Sequence, residues 1–168
     1  GQQNSRVEVE ARVNGEVYRA SNQLPRIGDF TAVFPIFSDT LVFGEGWYVF
    51  TSAQEPVGIG DFYQFRIYRN DSLFDSSSDF FVIDDRLVDG QEAAFLYPYP
   101  HESGDTVVVE VRAISRLTYD YYLTYFQQAN GGGGPFGSPP DNLITNFDNG
   151  GLGFLGTAAV ARDTVIIP

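Results

Sequence analysis

The residue types of thiol chemistry and of zinc or copper ligation are absent or nearly absent from this chain. Its 168 residues include no Cys and no Met, and His101 is the single histidine. Zinc and copper sites need several nitrogen or sulfur ligands, so this composition argues against both. Without Cys there is no disulfide. No apolar run approaches the ~18–20 residues that cross a bilayer as a helix.

Basic residues are also few, and all are of one type. Ten Arg and no Lys stand against 22 acidic residues, which gives a net charge of −12. A surface this acidic repels phosphate, so nucleic acid is not expected as a partner. Two explanations of the acidity stay open. One is adaptation to high salt, and the other is a coding bias toward Arg combined with ordinary solubility.

The charge predicts a measurable salt effect on stability. A net charge of −12 costs self-repulsion in the folded state, and salt shortens the Debye length from ~30 Å at 0.01 M to ~10 Å at 0.1 M. We therefore expect the melting temperature to rise across that range of ionic strength. A flat or falling melting temperature would mean that the charges are already paired or well separated.

The residues that are present indicate a mainly β protein. Residues 7–13 alternate apolar and charged side chains, and 16–20 follows as a partner strand. Between them lies Asn14-Gly15, a strong hairpin signal because both positions tolerate positive φ. Residues 106–115 show the clearest alternation in the chain.

Further strands extend this pattern to the end of the sequence. Pro35 predicts that the strand at 30–37 lies at a sheet edge or is irregular, because proline lacks a ladder donor. The β-branched tail predicts closing strands at 153–161 and 164–167. We therefore predict one domain over 1–168, an antiparallel β-sandwich of about eight or nine strands.

One segment has a helical period instead. Apolar side chains recur at helical spacing after residue 116, which predicts one helix near residues 118–129. Thr118 is predicted as its N-cap, and the glycines of 131–134 are predicted to end it. The residues at this spacing are Leu117, Tyr121, Tyr122, Tyr125 and Phe126.

No residue set assembles into a catalytic site, so none is assigned. A nucleophile–His–acid triad would have to use His101, which follows a Pro-rich loop, and no Ser lies in a Gly-x-Ser-x-Gly elbow. We interpret His101 as a surface loop residue. We expect no cofactor.

The acidic loop at 84–90 raises the question of calcium. Asp84, Asp85 and Asp89 precede Gly90, and Asp75 and Asp79 lie shortly before them. This spacing does not match an EF-hand loop, which needs acids at alternate positions and a final Glu. No metal site is assigned, but calcium at 84–89 stays open.

A carbohydrate site is the other alternative. Asp120 and the neighbouring tyrosines (Tyr119, Tyr121, Tyr122 and Tyr125) could line a face on which sugars stack. Helical spacing favours a different role, in which part of this set packs in the core and the rest flanks it.

Several motifs, taken in order, resemble the C-terminal part of a lipoprotein family of the Bacteroidota. This family is catalogued as domain of unknown function 4249. The segments that carry the resemblance are the hairpin at 7–25, Asp61-Phe62-Tyr63-Gln64-Phe65, 84–91, 104–107, 115–122, and the tail at 135–140 and 142–156. Members of that family typically carry a further amino-terminal sandwich after a lipid-bearing Cys. The resemblance implies that residues 1–21 are the last hairpin of such a domain.

The resemblance implies a location and a partner, but no catalytic residues. It implies an outer-membrane or cell-surface lipoprotein encoded beside TonB-dependent transporters, and held at the membrane only through a lipid anchor absent from this chain. Because Gly1 is not Met, we expect a mature or trimmed chain. We expect a monomeric, non-enzymatic module accessory to a TonB-dependent transporter. A carbohydrate-binding or carbohydrate-active module is the alternative.

Overall fold

The computed structural model describes residues 5–74, 81–129 and 142–168, and these form ten strands and one helix. The prediction of a mainly β, antiparallel fold with one helix is confirmed. The elements are β1 (Ser5–Val13), β2 (Glu16–Leu24), β3 (Phe30–Ser38), β4 (Gly46–Gln54), β5 (Phe62–Arg69), β6 (Ser72–Leu73), β7 (Phe81–Asp84), β8 (Glu92–Leu96), β9 (Thr106–Ile114), α1 (Arg116–Ala129) and β10 (Ala158–Ile166).

Two sheets face each other across the core. The larger has the order β10-β9-β5-β6, with β7 also paired to β5, and the smaller has the order β3-β4-β8. Alternate residues of each strand point inward. The central cluster of buried core residues consists of Val49, Ile67, Tyr97, Val107, Val109 and Ile167. Pro35 lies on β3, an edge strand, as the missing ladder donor predicts.

The hairpin of β1 and β2 forms a third sheet of its own. Its turn is as predicted, with φ of 52° at Asn14 and 89° at Gly15. The buried Asn22 on β2 attaches it to the rest of the domain. Its Nδ2 donates to Thr118 Oγ1 at 3.0 Å and to the Leu155 carbonyl at 2.8 Å.

The closing segment is one strand, so the prediction of two strands is wrong. β10 pairs with β9 without interruption from Ala158↔Ile114 to Ile166↔Thr106. The polar pair Arg162-Asp163 does not break it, because the Arg162 side chain lies on the outer face of the sheet beside Glu110. The glycine-rich stretch at 150–156 is a loop, with φ of 141° at Gly153.

The helix begins two residues earlier than predicted, and its cap is a different residue. Ser115 Oγ accepts a hydrogen bond from the Thr118 backbone N–H at 3.1 Å. Ser115 is therefore the N-cap, and the assignment of Thr118 was wrong. Thr118 is buried and serves instead as the anchor of Asn22. The predicted end of the helix at 131–134 lies outside the described residues.

The new cap assignment gives a direct test. Ser115→Ala should lower the free energy of unfolding by about 1–2 kcal/mol, because an N–H of the first turn loses its acceptor. Leu117→Ala, a half-exposed position in the same turn, should cost less than the cap substitution. Urea denaturation of both variants measures the difference. Equal effects would contradict the assignment.

No helix in the described part of the chain is both long enough and apolar enough to cross a membrane.

Candidate functional site

Three carboxylates from separate segments meet at one end of the sandwich. Glu55 directly follows β4, Asp61 directly precedes β5, and Asp85 directly follows β7. One carboxylate oxygen of each lies within 4.8 Å of the others. Glu55 and Asp85 are buried, and Asp61 is half-buried. The pairing of β7 with β5 brings Asp61 and Asp85 together, and the Asp85 N–H donates to the Asp61 carbonyl.

Backbone amides and one guanidinium hold two of these carboxylates. Asp85 Oδ2 accepts from the Gly60 N–H at 2.9 Å and from the Asp61 N–H at 3.1 Å. Asp61 Oδ2 accepts from Arg26 Nη2 at 2.9 Å, and this bond holds the pKa of Arg26 above its usual value. Arg26 also donates to the Val57 carbonyl, so it ties the loop before β5 to the chain before β3.

Glu55 is held differently, by one neutral donor on each oxygen. Tyr63 Oη donates to Oε1 at 3.1 Å, and the Gly90 N–H donates to Oε2 at 2.7 Å. Gly90 has φ of 67° and lies close to Val57, so this position favours glycine. Burial raises the pKa of Glu55, and the carboxylates of Asp61 and Asp85 raise it further. Burial beside these acids also raises the pKa of Tyr63.

An apolar cavity of about 130 Å³ adjoins Glu55 and Tyr63, between the two larger sheets. Within the described ranges these two are the only ionisable side chains that line it. Both sheets contribute to the rest of the wall, which is mainly aliphatic and aromatic. It includes Phe30, Phe65, Ile83, Phe95, Val111 and Ala161. A mostly apolar pocket with few polar groups is the usual form of a small-molecule site.

A second surface feature lies on β3 and the loop that follows it. Five large apolar side chains are exposed there within ten residues, with Val42 91% and Phe43 55% exposed. Tyr48 Oη donates to the Gly44 carbonyl, which fixes the loop beside β4. We name this surface the apolar patch, and it consists of Phe34, Ile36, Phe37, Val42 and Phe43. Exposed apolar surface of this kind marks interaction sites in soluble domains.

Comparison with known families adds one finding. The model of the family described as Domain of unknown function (DUF4249) matches residues 2–164. The chain belongs to this family. No curated protein and no solved structure is significantly similar to it. The family description names no activity.

The predicted acidic loop separates in the structure. Asp84 pairs with Arg86, with 2.8 Å between Oδ2 and Nη2, and Asp89 accepts from the Gly58 N–H. Only Asp85 joins a carboxylate cluster, so among the described residues 84–89 do not converge on one point. Asp75 and Asp79 lie outside the described ranges. Glu55 and Asp61 join Asp85 in the cluster. No local sequence pattern distinguishes either of them from the other acidic residues.

His101 is buried, so its interpretation as a surface residue was wrong. Only 3% of it is exposed, and its backbone N–H donates to the Trp47 carbonyl at 2.7 Å. Burial lowers the pKa of its imidazole, and the charge of Arg69 lowers it further. It pairs with the start of β4, whereas Glu55 follows the end of that strand, roughly 25 Å of strand away.

Most tyrosines of the helix have structural contacts. Tyr119 packs against Phe62 with ring centroids 4.8 Å apart, and Tyr121 stacks on Phe154 at 4.2 Å. Tyr122 lies against Tyr121, and Tyr125 is exposed. The rings that a sugar-stacking face would need are thus largely used to hold the helix against β5 and the loop before β10.

The buried acid predicts a pH-dependent stability change. The pKa of Glu55 is raised, so this group favours folding below its unfolded pKa of ~4.3, and that contribution is lost as pH rises through the folded-state pKa. Glu55→Gln keeps the shape without the charge. We expect it to melt higher than the wild type at pH 7 and at the same temperature near pH ~4.

Glu92→Gln is the matched control for this prediction, because Glu92 is an exposed acid on β8. Its melting temperature should follow that of the wild type at both pH values. A Glu55→Gln variant less stable than the wild type at pH 7 would show that the hydrogen bonds from Tyr63 and Gly90 outweigh the cost of burying the charge.

Proposed function

We propose that this chain is a non-enzymatic docking module of an outer-membrane or cell-surface lipoprotein, and that it serves a TonB-dependent transporter. The observation that carries the docking role is the apolar patch. Scattered exposed apolar residues are ordinary, but five of them within ten residues of one strand and its loop favour a protein partner. The envelope location and the transporter partner rest on the lipoprotein resemblance of the sequence, since the family description names neither.

The state of the single histidine supports a non-enzymatic role. Neither ring nitrogen of His101 has a hydrogen-bond partner among the described residues. A nucleophile–His–acid triad needs hydrogen bonds on both nitrogens, so His101 is not poised as a general base. The carboxylates near 55, 61 and 85 are engaged by N–H and O–H donors, and two of them are buried.

The experiment compares partner capture by matched variants of the full-length lipoprotein in its native host. The patch variant is Val42→Ser with Phe43→Ser, and the control is Leu152→Ser, which is 95% exposed in a different loop. After membrane solubilisation and affinity purification, the wild type and the control should retain a TonB-dependent transporter. The patch variant should lose it.

Two results would contradict this proposal. One is retention of the transporter by the patch variant at the wild-type level. The other is recovery of the wild-type protein in a soluble fraction with no lipid attached. A glycan array tests the carbohydrate alternative, and glycan binding that is lost on Tyr125→Ala would favour that alternative.

A further inference from the structure

We propose that the apolar cavity between the two larger sheets binds a small primary amine, whose ammonium group is held by Glu55 and whose apolar part is enclosed by the sheets. This site is separate from the apolar patch and does not depend on a transporter partner. Three features of the molecule support it: the cavity, the hydrogen bonding of Glu55 and the charge around Glu55.

Glu55 is a buried carboxylate with unused acceptor capacity. Each oxygen receives one hydrogen bond, from Tyr63 on one side and Gly90 on the other. A carboxylate has about four lone-pair sites, so roughly two remain open. Within the described residues, no Arg forms an ion pair with Glu55, and Arg26 pairs with Asp61 instead. A buried charge without a counter-ion is costly, and a bound cation removes that cost.

The surrounding charge selects a cation. Three carboxylates meet here, and one guanidinium, Arg26, pairs with one of them. An anionic ligand would therefore be repelled from this end of the cavity. An ammonium group would gain a charge-assisted hydrogen bond to Glu55, which is stronger than a bond between neutral groups.

A metal ion fits this cluster less well than an ammonium group. Calcium takes six to eight oxygen ligands in proteins. Asp85 and Asp61 already accept from N–H donors, and Arg26 lies 2.9 Å from Asp61 Oδ2. A metal placed among the three carboxylates would have to compete with these donors. Apart from Glu55, the described residues of the cavity wall offer only neutral oxygen atoms, including those of Thr51, Ser52, Gln54 and Tyr63, and no further carboxylate.

The volume sets the size of the amine. A cavity of about 130 Å³ is close to the ~150 Å³ apolar cavity in another protein that accepts benzene. The apolar part should therefore hold about five or six carbon atoms. Branched alkyl or small aromatic amines match the wall of Phe65, Phe95 and Val111.

Three probes of one shape test the proposal by calorimetry and by ligand-observed NMR at pH 7. They are isoamylamine, isoamyl alcohol and isovalerate, which differ only in the head group. The amine should bind most tightly, the alcohol about tenfold or more weakly, and the carboxylate not measurably. Glu55→Gln should weaken amine binding by about ten- to a hundredfold and change alcohol binding little.

Matched variants separate the site from general effects on the fold. Glu92→Gln removes the same charge from an exposed position on β8 and should leave all affinities unchanged. Ala161→Leu adds bulk to the cavity wall and should abolish binding of both amine and alcohol. Tyr63→Phe frees one oxygen of Glu55 and should preserve amine binding. Near-UV circular dichroism confirms that each variant is folded.

Several outcomes would overturn the proposal. The first is equal affinity for the amine and the alcohol. The second is a loss of amine binding in Glu92→Gln as large as the loss in Glu55→Gln. The third is no detectable amine binding at concentrations up to about 10 mM, since a dissociation constant above that value would be weak even for a ligand this small. A rise in melting temperature with calcium chloride that Glu55→Gln removes would assign the cluster to a metal instead.

Discussion

Deletion of residues 162–168 should leave a chain that no longer folds stably at room temperature. Ile167 is 1% exposed in the core, and its N–H donates to the Asp105 carbonyl at 2.8 Å. The deletion also removes the part of β10 that pairs with β9 from Arg162 to Ile166. Full burial of one large aliphatic side chain contributes ~1.5–3 kcal/mol, and most domains are stable by only ~5–15 kcal/mol.

Two neighbouring isoleucines give a matched pair for the same prediction. Ile167→Ala should cost about 2–5 kcal/mol, because it leaves a cavity in the core. Ile166 is 69% exposed on the other face of the strand, so Ile166→Ala should cost well under about 1 kcal/mol. Urea denaturation and circular dichroism measure both. A truncated chain that stays soluble and melts within about two degrees of the parent would show that the tail is dispensable.

Features that depend on neighbouring residues were predictable from the sequence. The turn at Asn14-Gly15 requires positive φ at two adjacent positions, which these residues tolerate, and the hairpin forms there. Alternation over 106–115 predicted β9 to within one residue. The β-branched tail at 164–167 was correctly assigned to a strand. The sequence pattern did not show that this strand begins at Ala158 and pairs with β9 over its whole length.

The carboxylate cluster was not predictable, because strand pairing assembles it. Glu55, Asp61 and Asp85 lie at the ends of three strands, and only the register of β5 with β7 brings the last two together. The sequence pattern indicated the acidic loop at 84–89 instead. In the structure, the acids of that loop have separate partners. Local spacing reports which acids are close in sequence, whereas burial and shared donors decide which ones act together.

The same reason explains the misplacement of His101. A Pro-rich loop is normally on the surface. Here the loop returns to Trp47 through two backbone hydrogen bonds, and Phe74 packs near the imidazole. The prediction of the helix N-cap was wrong by three residues. Ser115 and Thr118 are both good cap residues, and the three-dimensional path of β9 into the helix selects the earlier one.

The second large effect concerns Glu110, a fully buried carboxylate on β9. Arg112 pairs with its Oε1 and Arg162 pairs with its Oε2, and Glu110 has no exposed surface. Burial alone would raise the pKa of Glu110, but the hydrogen bonds from the two guanidinium groups hold it below its usual range. A buried charge that loses its partners is strongly destabilising.

We therefore expect the double variant Arg112→Met, Arg162→Met to lower the melting temperature at pH 7 by on the order of 10 °C. Adding Glu110→Leu to this background should recover most of the loss, because the charge is then removed together with its partners. Arg86→Met is the control. Arg86 pairs with Asp84 through a largely exposed side chain, and exposed pairs contribute little.

The dependence on pH distinguishes a buried charge from lost packing. In the wild type the pKa of Glu110 is lowered, so its contribution to stability is present above the unfolded pKa of ~4.3 and is lost as pH falls through the folded-state pKa. In the double variant the guanidinium groups are gone, so burial raises the pKa of Glu110. The contribution of Glu110 to stability then increases as pH falls, which is the opposite of its behaviour in the wild type. The gap in melting temperature between the two proteins should thus narrow from pH 7 toward pH ~4. A gap that stays constant with pH would mean that the arginine stems stabilise the sheet through packing and not through their charge.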